Sequence, residues 1–225
     1  ISFSNEMGNL CSALGGIDIA DVMRGVHAAR YFTLTLEDGR RVQAPITSFL
    51  WAGCGYGGSC LPKDTKALSA HGAARGQPMP LLDAVIQTNL QQPARIVGLL
   101  EGHFPSLKDL RVSVLGLAFK EDTDDTRESP AIPIVQQLVQ RGARVTGYDP
   151  VAKESARAVM PAAIRFADSM ADALADCDAV VLLTRWEEFK DAPRILAQRK
   201  AAPLFIDGRR FIEPASVARY AGVGR

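Results

Sequence analysis

The chain has 225 residues, and its 26 Lys+Arg nearly balance its 25 Asp+Glu, so it offers no broad electrostatic surface to nucleic acid or anionic lipid. A hydrophobic share of 47% against 23% charged residues supplies a core, yet no apolar run reaches the roughly 18 residues that span a bilayer. Cys11, Cys54, Cys60 and Cys177 fit no CxxC or zinc spacing; with no leader visible, they predict free thiols in a reducing, cytoplasmic setting.

In chain order, Ile1, Phe3, Met7, Leu10, Cys11 and Leu14 recur at helical spacing from the first residue, so a helix is already under way at Ile1. That start leads to the expectation that further sequence precedes it. Gly15-Gly16 stops this helix, and Asp18, with Asp21 behind it, caps a second one through Val22 to Val26. "YFTLTLEDGRRV" (Tyr31 to Val42) alternates Phe32, Leu34 and Leu36 with Thr33 and Thr35, and Asp38-Gly39 stands where a tight turn needs positive φ. This reads as a β-hairpin with an exposed tip. Ala52 to Asp64 is glycine-rich and irregular. Thr65 to Ala74 and Leu81 to Leu100 follow as helices, the second with a kink expected at Pro93. From Leu110 the period changes: strands are expected at Arg111–Leu117, Arg144–Asp149, Ala179–Thr184 and Pro203–Asp207, with helices at Ile132–Val139 and Met170–Ala175. Alternation of this kind specifies a parallel, doubly wound sheet, whose ligands sit beyond the carboxyl ends of the strands. The fold class is therefore α/β: a helical domain, residues 1–104, then a Rossmann-like domain, residues 105–225.

Three segments carry chemistry. In "GCGYGGSCLPKDTKAL" (Gly53 to Leu68), four glycines in six positions let the backbone approach a ligand. A helix starting near Pro62 would set its N-terminal dipole beside Cys60, with Lys63 adding positive charge, and both favour thiolate. The competing reading, an inert buried cysteine in a glycine loop, is equally compatible with the spacing. "GLAFKEDTDDTRESPA" (Gly116 to Ala131) occupies the place of a GxGxxG turn but is long and polar; Lys120 and Arg127 can hold phosphate oxygens, and Phe119 can pack a base or sugar. Its acids, Glu121, Asp122, Asp124 and Asp125, lack the glycine and distal glutamate of a calcium loop and read as solvated. In "IDGRR", Arg209 or Arg210 can point a guanidinium at phosphate from a strand end, although paired arginines are more often plain surface. His27, His71 and His103 share no ligand spacing, so no metal is expected. Asp149 ends a strand where a dinucleotide fold keeps its ribose ligand.

In this order, "ISFSNEMGNLC", "GYGGSCLPKDTKAL", "GLAFKEDTDDTRESPA" and "IDGRR" resemble the UDP-glucose/GDP-mannose dehydrogenase family over nearly the whole chain. The resemblance implies an NAD-dependent oxidation of UDP-glucose to the uronic acid, with a homodimer built on the central helix. Residue by residue, it implies that Cys60 is the thiol that forms a thiohemiacetal and then a thioester, and that Asp64 helps position the hydrolytic water. Phe49, Leu50, Tyr56, Gly57, Phe119, Lys120 and Arg209 match positions along the sugar nucleotide, and Lys63 and Arg127 match residues reaching NAD. It also implies that the family's NAD-binding domain, and a catalytic lysine and asparagine, belong upstream of Ile1, so that these 225 residues alone turn over no substrate. The hairpin from Tyr31 to Ile46 departs from the family's shorter connection, which often supplies an arginine to the partner subunit.

Three other readings stand beside this one. GDP-mannose or a UDP-N-acetyl sugar can replace UDP-glucose within the family. A non-catalytic sugar-nucleotide or dimerisation module predicts ordinary alkylation kinetics at Cys60. A plain NAD-binding α/β protein lacks support, because GxGxxG is absent.

Overall fold

The computed structural model describes residues 1–225. Helix α1 (Ser2–Leu14) ends at Gly15, which takes φ +68°. Its packed face is small and polar, with Ser4, Asn5, Gly8 and Cys11 buried. The large apolar residues face outward instead: Phe3, Leu10 and Leu14 are 59%, 50% and 63% exposed. Helix α2 (Ile19–Ala28) is capped as expected, the Asp18 side chain accepting the Ala20 N–H at 2.8 Å. The hairpin is present but short, with β1 (Thr33–Thr35) paired antiparallel to β2 (Arg41–Gln43) and Gly39 at φ +81°. Phe32 lies in a 3₁₀ turn before it rather than in the strand.

Helix α3 (Leu61–Ala74) begins directly after Cys60, beside the start near Pro62 expected for the dipole at Cys60 and four residues before the Thr65 start of the helical stretch. Proline explains the difference, because Pro62 in the first turn sacrifices no helical N–H. Helix α4 (Pro80–Glu101) runs unbroken through the buried Pro93. Its carboxyl half does the packing: Ile96, Val97 and Leu100 are buried, whereas Leu90 lies exposed.

The remainder is a six-stranded, wholly parallel sheet: β3 (Arg111–Leu115), β4 (Arg144–Tyr148), β5 (Arg165–Phe166), β6 (Ala179–Leu182), β7 (Leu204–Asp207) and β8 (Tyr220–Gly222). The spatial order β5-β4-β3-β6-β7-β8 means the chain winds outward from β3 in one direction and then from β6 in the other. The connecting helices are α5 (Ala131–Gln140), α6 (Lys153–Val159), α7 (Met170–Leu174) and α8 (Ala192–Leu196). Strand β3 is buried at Val112, Ser113, Val114 and Leu115, and β6 and β7 along their whole length, as a sheet covered on both faces requires. One core of 28 buried residues joins the helical half to the sheet, running from Cys11, Met23 and Ile96 to Val114, Val181 and Ile206.

Candidate active site

The order of the strands fixes where a crevice can open. The strands run parallel, but the order in which the chain adds them reverses between β3 and β6, so the loops leaving their carboxyl ends diverge. These loops start in tight contact: Gly116 takes φ +93°, and a Cβ there would lie 2.4 Å from that of Thr184. Beyond this point they part, one carrying Phe119, Lys120 and Glu121, the other Thr184 and Arg185. The helical half closes the opening with Phe49, Trp51, Tyr56, Gly57 and Leu61, giving a cavity of about 360 Å³.

The glycine loop is held from both sides. From the helices, Asn5 Oδ1 accepts the Gly53 N–H at 2.7 Å, Gln92 Nε2 donates to the Gly53 carbonyl at 2.8 Å, and the Asn89 amide brackets Tyr56 N and O at 2.8 and 3.0 Å. From the sheet, the carbonyls of Gly208 and Arg127 accept the N–H groups of Cys54 and Gly58, each at 2.8 Å. Glycine is obligatory at position 57, where a Cβ would stand 2.2 Å from the Glu128 carbonyl oxygen. Sequence reading missed Asn5, Asn89 and Gln92; the available signal was Asn89 and Gln92 on the otherwise apolar face of α4, whereas Asn5 lies on the small, polar face of α1 and carries no such signal.

Cys60 is exposed, unlike Cys11, Cys54 and Cys177, which are buried. It occupies the N-cap position of α3, its Sγ is 3.7 Å from Ser59 Oγ, and the next residue, Leu61, forms part of the crevice wall. Lys63 pairs with Asp64, and hydrogen bonding to that carboxylate raises its pKa. Arg127 forks onto Asp125 at 2.7 and 3.0 Å, which raises the Arg127 pKa and lowers that of Asp125. A charge on Cys60 would raise both cations further.

Of the residues singled out in the sequence, Phe49, Tyr56, Gly57, Phe119, Lys120 and Arg209 meet in the crevice wall. Cys60, Lys63, Asp64 and Arg127 are exposed outside it. Leu50 does not line the cavity: it is half-buried against the core, and its carbonyl receives His27 Nε2 at 3.0 Å. The two candidate arginines separate. Arg209 is anchored by Nε to the Leu183 carbonyl (2.7 Å) and by Nη1 to that of Gly55 (2.8 Å), whereas Arg210 turns away onto Asp18 at 2.6 Å. Asp149 is not free for a ribose. It is buried and accepts the N–H groups of Leu117, Ala118, Val151 and Ala152 at 2.8 to 3.1 Å, with Trp186 Nε1 at 3.2 Å. Sequence reading also missed Trp51 and Arg185; Glu121, read as a solvated acid, is exposed and also borders the crevice.

No group of three or more His, Cys, Asp or Glu is arranged to hold a metal, and no helix is long and apolar enough to cross a membrane. The first turn of the sheet is closed to a dinucleotide pyrophosphate, because Asp149 caps its N–H groups and Ser129 Oγ donates to the Leu117 carbonyl at 2.8 Å.

Residues 1–91 match the central domain of the UDP-glucose/GDP-mannose dehydrogenase family, and residues 113–214 match that family's UDP binding domain. UDP-glucose 6-dehydrogenase AglM of Haloferax volcanii is 43% identical over 215 residues, which are 94% of this chain and 45% of the relative. UDP-glucose 6-dehydrogenase of Pseudomonas aeruginosa is 38% identical over 237 residues, covering 100% of this chain and 49% of the relative. Among solved structures, a UDP-glucose dehydrogenase from Pyrobaculum islandicum superposes with a TM-score of 0.84 at 33% identity, over 100% of this chain and 47% of that one. The chain thus spans about half the length of the proteins it matches.

Proposed function

Because the chain belongs to the UDP-glucose/GDP-mannose dehydrogenase family, we propose that the whole protein oxidises UDP-glucose to UDP-glucuronate with NAD, and that this chain supplies the sugar-nucleotide site and the thiol nucleophile. The observation that carries this reading is a single exposed cysteine at the start of a helix whose next residue walls an aromatic and cationic crevice. UDP-glucose is the substrate of choice because the two relatives compared are both UDP-glucose 6-dehydrogenases. Residues 1–104 then serve as the dimerisation domain and residues 105–225 as the UDP-sugar domain. The outward apolar stripe of α1 supports a homodimer, and four free thiols suit a cytoplasmic enzyme.

In this reading Phe49, Tyr56 and Phe119 pack the base and sugar, Gly57 lets the backbone approach, and Lys120 and Arg209 hold the diphosphate. Cys60 Sγ adds to the C6 aldehyde to give a thiohemiacetal, which retains the half-oxidised sugar. Oxidation of that adduct leaves a thioester, and Asp64 orients the water that releases the acid and restores the thiol. NAD, when bound, supplies the hydride acceptor for both oxidations. Lys63 and Arg127, exposed beside Cys60 and each a cation with raised pKa, suit contact with its phosphates from this side.

The test is calorimetric titration of the protein and of Cys60→Ser with UDP-glucose and GDP-mannose, together with assay of the acid product. Wild type is expected to prefer UDP-glucose at least tenfold. Cys60→Ser should bind it within about twofold of wild type, since a rim thiol contributes little to ground-state affinity, but lose acid formation by on the order of 10³-fold or more. Tighter binding of GDP-mannose overturns the choice of substrate. Undiminished acid formation by Cys60→Ser overturns the mechanism.

A further inference from the structure

The crevice holds a second guanidinium besides Arg209. Arg185 follows β6 at the switch point and lines the cavity half-buried. Its one hydrogen bond to protein runs from Nη2 to the Arg209 carbonyl at 2.9 Å. An arginine carries five N–H donors, so most of this fork is left without a protein partner in a residue that lines the cavity. Arg209 spends Nε and Nη1 on backbone carbonyls, which fixes the group and leaves Nη2 available. Neither guanidinium enters an ion pair. The nearby Asp207 attracts Arg185 only from a distance: it is buried, and its oxygens accept the N–H groups of Arg209, Phe211 and Ile212 and the Tyr220 hydroxyl rather than a guanidinium. Lys120 adds a third positive charge to the same wall, against Glu121 alone.

Two partly desolvated cations side by side, without a carboxylate between them, cost free energy in the empty crevice. Burial and the repulsion of Arg209 both push the Arg185 pKa down. A doubly charged ligand relieves both costs, and a planar fork suits phosphate oxygens. We infer that Arg185 is a diphosphate ligand of this crevice, acting beside Arg209, and that it makes the site demand a diphosphate over a monophosphate or an uncharged nucleoside. The inference rests on the sugar-nucleotide reading above and assigns it a residue that reading lacks. A purely architectural Arg185, holding the Arg209 carbonyl, predicts something different: its loss would destabilise the unliganded protein.

The protein, Arg185→Met and Arg185→Lys should be titrated with uridine, UMP and UDP, and their unliganded melting temperatures compared. Losing a charge-assisted contact should weaken UDP binding by Arg185→Met roughly ten- to hundredfold, UMP less, and uridine by under about twofold. Arg185→Lys should fall between, and the melting temperature of Arg185→Met should equal or exceed that of wild type. Undiminished UDP affinity in Arg185→Met overturns the inference, as does an equal loss for uridine and UDP or a lowered melting temperature. Failure of the wild-type protein to bind UDP is a separate outcome, which removes the sugar-nucleotide reading and this inference with it.

Discussion

At Asp18 one carboxylate serves two distant parts of the chain. It caps α2 through the Ala20 N–H and holds Arg210, 192 residues away, whose side chain is only 7% exposed. Arg210 Nη1 is buried without a partner, so removing Asp18 strands a cation already short of acceptors. Burial pushes the Asp18 carboxyl up, but the Ala20 N–H and Arg210 outweigh it and hold the pKa below its ordinary 3.8. The folded protein therefore binds this proton less readily than the unfolded chain. The pair contributes in full above about pH 4 to 5 and is lost as pH falls further. Asp18→Asn keeps a cap but loses the charge and should cost roughly 2–3 kcal/mol at pH 7, toward the low side for a stranded buried charge. Asp18→Ala should cost about 1 kcal/mol more through the lost cap. Urea melts at pH 7 and pH 3.5 check both values, and an Asn deficit that stays constant down to pH 3.5 would count against the pairing. The cap was legible because Asp precedes an apolar helical run; the partner was not, because nothing local ties Asp18 to the chain's far end. The site divides the same way. Cys60, Phe119, Lys120 and Arg209 could be singled out from three segments, the glycine loop, the polar loop after β3 and "IDGRR". Arg185 could not, since "LLTRW" looks like any strand exit until the sheet order puts it beside Arg209. Asp149 went the other way, because a strand-end acid that staples four backbone N–H groups has the same sequence signature as one that binds a ribose.

At the scale of elements, α1 poses the clearest question. Its inner face is built of Ser4, Asn5, Gly8 and Cys11, and a Cβ on Gly8 would touch that of Ala52 at 3.0 Å. Small residues bring α1 close to the glycine loop, which lets Asn5 reach Gly53. The cost is that Phe3, Leu10 and Leu14 are left outside as a stripe, and such a stripe on a helix marks an interaction face. If that face pairs with a second copy, Leu10→Glu should convert a dimer to a monomer. Burying a leucine is worth about 1.5–3 kcal/mol per copy, and a charge there adds a desolvation cost. Light scattering of both proteins decides it: a wild-type monomer, or a Leu10→Glu variant that remains dimeric, rules the face out. The fold itself was legible wherever elements were long and periodic. The four central strands and the parallel sheet came from runs such as "RVSVLGL" and "AVVLLT". Strands β5 and β8, at two and three residues, are too short to show alternation. Tertiary pairing at the sheet edges makes these two strands, and no local pattern encodes it.

For the whole molecule, the relevant fact is that the two halves share a core. Ile96 on α4 is fully buried, and its Cδ1 would lie 3.3 Å from a Cβ added to Gly208 just beyond β7. The crevice floor is made at this junction, since the Gly208 carbonyl accepts the Cys54 N–H and Arg209 reaches Gly55. A site assembled across two halves holds its geometry only while they move as one body, and the continuous core supplies that condition. Ile96→Ala leaves a cavity that packed neighbours on both sides relax into only partly, and should cost about 2–5 kcal/mol. Because the core is continuous, the loss should lower a single cooperative transition followed alike by helix signal and by fluorescence of Trp51 and Trp186, which lie in different halves. Two resolved transitions, with Ile96→Ala shifting one and sparing the other, would show that the halves fold independently. The crevice would then owe its shape to bound ligand rather than to packing.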